Sequence, residues 1–186
     1  MRSFIALEIN EAIRSKLGHL QARLKTAGAD VTWVAPHAIH LTLKFLGDIP
    51  GDTIEKIRTI LDDIARTVHP FEIDIGSLGV FPKPDFPRVV WVGLEKGAQE
   101  STDLAENIEE RLESIGFPKE ERSFKPHLTI GRVRTPRNKD ALKAKILSTS
   151  IDERPSHLVS SIVLFQSDLT PQGPIYTKLH ESRLGV

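Results

Sequence analysis

No cysteine occurs in the sequence, so no disulfide can form and nothing points to an oxidising compartment. Neither sign of charge prevails: 25 Lys and Arg face 25 Asp and Glu, for a formal net charge of zero. That balance argues against a protein that wraps long nucleic acid by bulk electrostatics, although a local basic cluster suffices to recognise one end. No run of about 18 apolar residues exists, so no membrane span is expected. The apolar run after Met1 and Arg2 is too short for a signal peptide, and a cytoplasmic location is the expectation. Metal-binding patterns are also scarce. There is no His-Glu-x-x-His, and the one pair with ligand spacing is His37 and His40. His37 follows Pro36 in an expected turn, so the two need not converge, and neither a metal nor a cofactor is expected. His19, His69, His157 and His180 read as solvated imidazoles.

What the sequence does contain is a repeated tetrapeptide. His40-Leu41-Thr42-Leu43 returns as His127-Leu128-Thr129-Ile130. Two such matches by chance are expected on the order of once in ten thousand chains of this composition. Each copy lies in a stretch that reads as a β-strand, where side chains alternate between faces. His40, Thr42 and Lys44 are therefore expected on one face, with Leu41, Leu43 and Phe45 on the other. In the second copy His127 and Thr129 share a face. Gly131 leaves room for a ligand or marks a bulge, and only a bulge or strand end there would bring Arg132 to the same cleft. A single strand histidine is usually a surface or packing residue. Packing explains an apolar repeat, but not why the polar half repeats too. Two imidazoles and two hydroxyls suit a compact tetrahedral oxyanion such as phosphate, with one His taking a proton and the other giving one. Lys44 and Arg132 are candidates for phosphate or backbone contact, and Phe45 and Tyr176 could stack a terminal base.

The length suits a single domain over residues 1–186 with room for a sizeable core. Its pattern mixes strands and helices. Ser3–Ile9 reads as a strand. Asn10 is placed to cap a helix with the stripe Ile13, Leu17, Leu20 and Leu24, and Asp52 a second with Ile54, Ile57, Leu61 and Ile64. Strands are expected over Val31–Val34, Ile39–Leu46, Phe71–Ile75, Val89–Val92, His157–Phe165 and Ile175–Leu179. Helices are expected near Ser101–Ile115 and Asn138–Leu147. Phe81–Pro87 reads as a Pro-rich loop. The order of elements hints at two similar halves, each giving one motif strand to a shared cleft.

Several segments together carry a family resemblance. They are Arg2-Ser3-Phe4-Ile5-Ala6-Leu7, the extended first motif His40-Leu41-Thr42-Leu43-Lys44-Phe45-Leu46-Gly47, and Arg88-Val89-Val90-Trp91. Lys125-Pro126-His127-Leu128-Thr129-Ile130-Gly131-Arg132 and Leu169-Thr170-Pro171-Gln172-Gly173-Pro174-Ile175-Tyr176 complete the set. The chain resembles the 2H phosphoesterase superfamily and, within it, the LigT-type RNA 2′,3′-cyclic phosphodiesterases, often called 2′–5′ RNA ligases. The resemblance implies a bilobal α+β fold, pseudo-two-fold symmetric, with two antiparallel sheets lining a central cleft and helices outside. It implies metal-independent hydrolysis of a terminal RNA 2′,3′-cyclic phosphate to a 2′-phosphomonoester. By that mapping His40 is the proton donor, His127 the proton acceptor, and Thr42 and Thr129 hold the non-bridging oxygens. Ligation through a 2′–5′ bond is the reverse reaction. Two other readings stand beside it: a related enzyme acting on a 2′–5′ oligoadenylate or an ADP-ribose cyclic phosphate, and a non-catalytic nucleotide-binding module. The expected partner is an RNA end or cyclic nucleotide, met by a monomer without membrane or obligate protein partner.

Overall fold

A computed structural model describes residues 1–185. The elements in chain order are β1 (Arg2–Leu7), α1 (Glu11–Lys25), β2 (Val31–Trp33), a 3-10 turn over Pro36–Ala38, β3 (Leu41–Asp48) and α2 (Thr53–Ala65). They continue with β4 (Phe71–Lys83), β5 (Phe86–Leu94), α3 (Ala98–Glu113), β6 (His127–Val133), α4 (Lys139–Ser148), β7 (Ser156–Val159), β8 (Ser161–Thr170) and β9 (Gly173–Arg183). This is an α+β fold with two antiparallel sheets. One has the order β3-β1-β8-β9 and the other β2-β6-β5-β4-β7.

The two motif strands fall in different sheets. Each lies beside a central strand, β3 against β1 and β6 against β5. The sheets are not sequential halves of the chain. β8 and β9 return to pair with β1, while β2 leaves the first half to pair with β6. Helices α2 and α3 pack on the first sheet, whereas α1 packs against α4 and β7 of the second. One continuous core, from Ile5 and Leu7 through Leu61 and Val92 to Leu164, joins these layers. Burying each such side chain stabilises the fold by about 1.5–3 kcal/mol.

Local chemistry accounts for most boundaries. Asn10 caps α1 as expected: the Ile13 amide donates to its Oδ1 at 3.0 Å. Asp52 does not cap α2. Its backbone is already helical (φ −69°, ψ −21°), and no side-chain bond to an amide forms. A turn over residues 50–54 starts that helix instead, with the Thr53 and Ile54 amides bonded to the Pro50 and Gly51 carbonyls.

Two strand expectations are corrected. The Pro-rich segment is the end of a long hairpin, with Phe81–Lys83 continuing β4 and Phe86 opening β5 around a turn at Pro84 and Asp85. Pro82 and Pro87 face each other across it, near the hairpin end where missing amides cost least. The expected strand 157–165 is divided at Ser160. β7 pairs with β4 in one sheet and β8 with β1 in the other, so this point carries the chain across the molecule.

Candidate active site

Both motif strands carry a bulge at the same point. Along β1, Ile5 and Ala6 are consecutive, but their partners on β3 are Lys44 and Thr42, so Leu43 is the extra residue. Along β5, Val90 and Trp91 pair with Gly131 and Thr129, so Ile130 is the extra residue. A bulge shifts side-chain parity by one. Leu43 and Lys44 consecutively face the core, as do Ile130 and Gly131. The next residue of each strand is then thrown outward: Phe45, 61% exposed, in the first and Arg132 in the second.

This overturns the expected place of Lys44. It does not share the face of His40 and Thr42. Its side chain is 2% exposed, and Nζ donates to Glu109 Oε1 of α3 at 2.7 Å and to the Pro118 carbonyl at 3.0 Å. Lys44 is thus a buried tie between β3, α3 and the segment leading to the second motif. Phe45 takes the outward position. The matching bulge of β6 at Ile130 turns Arg132 outward, where its charge acts on both motif histidines and on Tyr176. Gly131 is explained by packing. A Cβ there would lie 2.8 Å from Val31 Cγ1 and 3.0 Å from the Trp33 ring. The bulged Ile130 carbonyl is held from behind by Gln21 of α1, whose amide nitrogen donates to it at 2.9 Å and to the Val34 carbonyl at 2.6 Å.

The histidines are held alike. His40 Nδ1 lies 2.9 Å from the Ala38 carbonyl, and His127 Nδ1 lies 2.6 Å from the Lys125 carbonyl, each two residues back. A carbonyl only accepts, so Nδ1 carries the proton in both rings. Nε2 is left for chemistry: a base when the ring is neutral, an acid when it is charged. Each ring also rests on aromatic side chains of its own sheet. His40 stacks on Phe4 with centroids 4.7 Å apart and meets Tyr176 edge-on at 5.2 Å. His127 meets Phe81 edge-on at 5.0 Å and Trp91 at 6.3 Å. Phe4, Ala6, Val163 and Phe165 form a small apolar cluster, with Tyr176 packed against it.

This setting fixes the direction of the titrations. Burial is the largest cause that pushes both imidazoles below their ordinary range; the neighbouring carbonyls oppose it, and the Arg132 charge adds to it. Thr42 and Thr129 are half-buried, and their strand partners are Ala6 and Trp91. Gly79 across from Trp91 makes room for the indole, since a Cβ there would lie 2.4 Å from the ring.

Sequence reasoning missed Phe4, Phe81, Phe165 and Trp91 as supports for the rings, and Gln21. Gln21 left a sign as a glutamine inside the apolar stripe of α1, and Phe4 and Trp91 stand in segments that carry the family resemblance. His180 is not the solvated imidazole expected; it is partly buried and pairs with Asp62 at 2.7 Å. Among the described residues no group of three or more His, Cys, Asp or Glu could hold a metal ion, and no helix is long and apolar enough to cross a membrane.

Two lobes each holding one His-x-Thr strand define a two-histidine phosphoesterase architecture, and the chain belongs to the LigT-like phosphoesterase family. That family matches it twice, over residues 7–91 and 92–176, so each repeat holds one motif. Among its relatives, an RNA 2′,3′-cyclic phosphodiesterase of Methanothermobacter thermautotrophicus is 40% identical, covering 99% of both chains. One of Archaeoglobus fulgidus is 37% identical, covering 96% of this chain and 98% of that one. The crystal structure of TT0787 of Thermus thermophilus superposes with a TM-score of 0.79 at 28% identity, covering 99% of this chain and 98% of that chain. E. coli LigT complexed with 3′-AMP shares the fold at a TM-score of 0.77 and 23% identity, covering 98% and 97% of the two chains.

Proposed function

We propose that this protein is an RNA 2′,3′-cyclic phosphodiesterase that opens the terminal ring to a 2′-phosphomonoester. The observation that carries the reading is the pair of histidines on two sheets, each with Nδ1 tied to a carbonyl and Nε2 free, under the charge of one arginine. The names of the relatives supply the substrate class.

In this mechanism His127 Nε2 takes a proton from water as the water oxygen bonds to phosphorus. The bond from phosphorus to the 3′ oxygen breaks, and that oxygen takes the proton from His40 Nε2. One water is consumed, leaving a 2′-phosphate and a 3′-hydroxyl. The Ala38 carbonyl supports the charged form of His40 that the donor role needs. Thr42 and Thr129 donate to the non-bridging oxygens, and Arg132 compensates the charge growing on them. No step requires a metal or a cofactor. The exposed Phe45 ring offers a platform for the terminal base. A 5′-hydroxyl in place of water runs the reaction backward to a 2′–5′ bond, so one site serves both directions. The proposal has a monomer acting in the cytoplasm as its working form.

The pH profile tests the reading. The acid limb of kcat/KM follows the base, which must be neutral, and the alkaline limb follows the acid, which must be charged. Both histidines sit below the ordinary imidazole range in the free protein, so the whole bell for kcat/KM lies at lower pH than two ordinary imidazoles would give. An anionic substrate favours the imidazolium form, so the bell for kcat lies at higher pH than that for kcat/KM. Arg132→Gln removes a charge that lowers both groups. It is expected to move both limbs of kcat/KM upward, whatever it does to the rate. Limbs unmoved in that variant would contradict the shared-arginine arrangement.

A further inference from the structure

Beside His40 the cleft opens into a pocket of about 340 Å³, far more than a single bound water needs. The reacting phosphate does not need that space. Its walls hold two strong cations, Arg14 and Lys178, with His37 and Tyr176. Lys178 is already neutralised, with Nζ 2.6 Å from Glu8 and 3.3 Å from Glu181.

Arg14 is not. Among the described residues it makes no salt bridge, and its Nε is buried without a hydrogen-bond partner. It also stands in the first turn of α1, where the helix dipole disfavours a cation. Its charge reaches His157, which burial first, and then Arg14, hold below the ordinary range, with Glu8 opposing. A guanidinium without an ion-pair partner, at the wrong end of a helix and lining a pocket, is stabilised by an anion that arrives with the ligand.

We propose that Arg14 binds the phosphodiester joining the terminal nucleotide to the one before it, so that the protein reads an RNA chain and not a lone cyclic nucleotide. This rests on the reading above. If His40 protonates the 3′ oxygen, the ribose lies on the His40 side of the cleft. The next anion along the chain hangs from that ribose through its 5′ carbon, toward the pocket. Exposed Ile175, at 58%, gives the pocket an apolar rim for the sugar or the preceding base.

The test compares the unaltered protein with Arg14→Met on uridine 2′,3′-cyclic phosphate, its 5′-phosphorylated form, and a dinucleotide ending in the same cyclic phosphate. A charge-assisted contact is expected to be lost at a cost of about tenfold or more in kcat/KM on the two substrates that carry the extra phosphate. The plain cyclic nucleotide should stay within about twofold. Equal loss on all three, or no loss on any, overturns the inference. Turnover of none of them by the unaltered protein overturns the RNA-end reading itself, a result distinct from either.

Discussion

Alanine at His40 or at His127 is expected to lower turnover of a 2′,3′-cyclic phosphate by about 10²–10⁴-fold, the contribution of a positioned proton-transfer group. In the proposed mechanism the effect falls on kcat, because the ground-state phosphate is assigned to Thr42, Thr129 and Arg132, which both variants keep. The double variant should be little worse than either single one, since two groups that act in one step do not contribute additively. The fold should survive both changes. Each ring packs on aromatic neighbours of its own sheet, outside the main core of Leu7, Leu61 and Val92. Melting temperature checks that point, and steady-state kinetics the rest. Near-normal kcat in both single variants would remove the histidines from the chemistry.

Glu109→Ala is expected to be the most destabilising polar change outside the site. It leaves the Lys44 ammonium buried, with a side chain 2% exposed and only the Pro118 carbonyl at 3.0 Å. Losing one partner of a buried pair costs about 3–5 kcal/mol. It also frees the Glu120 amide, now bonded to Glu109 Oε2 at 3.1 Å. Replacing both charges together, as Lys44→Met with Glu109→Leu, should recover most of that loss, because no uncompensated charge stays inside. Denaturant unfolding measures it. Kinetics add a second readout: the paired variant should keep the KM of the unaltered protein, since Lys44 faces away from the cleft. A rise in KM with no change in stability would return Lys44 to the phosphate.

Lys44 also marks where the sequence stopped being readable. Alternation placed His40 and Thr42 on one face, His127 and Thr129 on one face, and Leu41 and Leu128 behind them, and burial alternates in the same way, with Leu41 and Leu128 buried between half-buried neighbours. The extra residue at Leu43 is invisible to a period-two pattern, because an aliphatic side chain fits either parity. Beyond it every assignment reversed, so Lys44 went inward and Phe45 outward. The same bulge at Ile130 was foreseen only because Gly131 raised the possibility. Caps were legible where a side chain acts alone, as at Asn10, and illegible at Asp52, where a preceding turn had already started the helix. The passage of β7 and β8 into different sheets leaves no local mark at Ser160, since either pairing suits the same apolar residues. The aromatic beds under the histidines were hidden for a related reason. Phe4 lies in a strand buried on both faces from Ser3 to Leu7, so pattern alone could not show which face meets the cleft.

In the proposed mechanism two histidines open a cyclic phosphate by water attack, with the 3′ oxygen leaving. The direct measurement is the position of the phosphate on a short RNA that begins with a 2′,3′-cyclic end, read by phosphorus NMR after incubation with the protein and a chelator. The expected product is a 2′-phosphate, formed at the same rate with and without the chelator. A 3′-phosphate product, or a reaction stopped by the chelator, would contradict it.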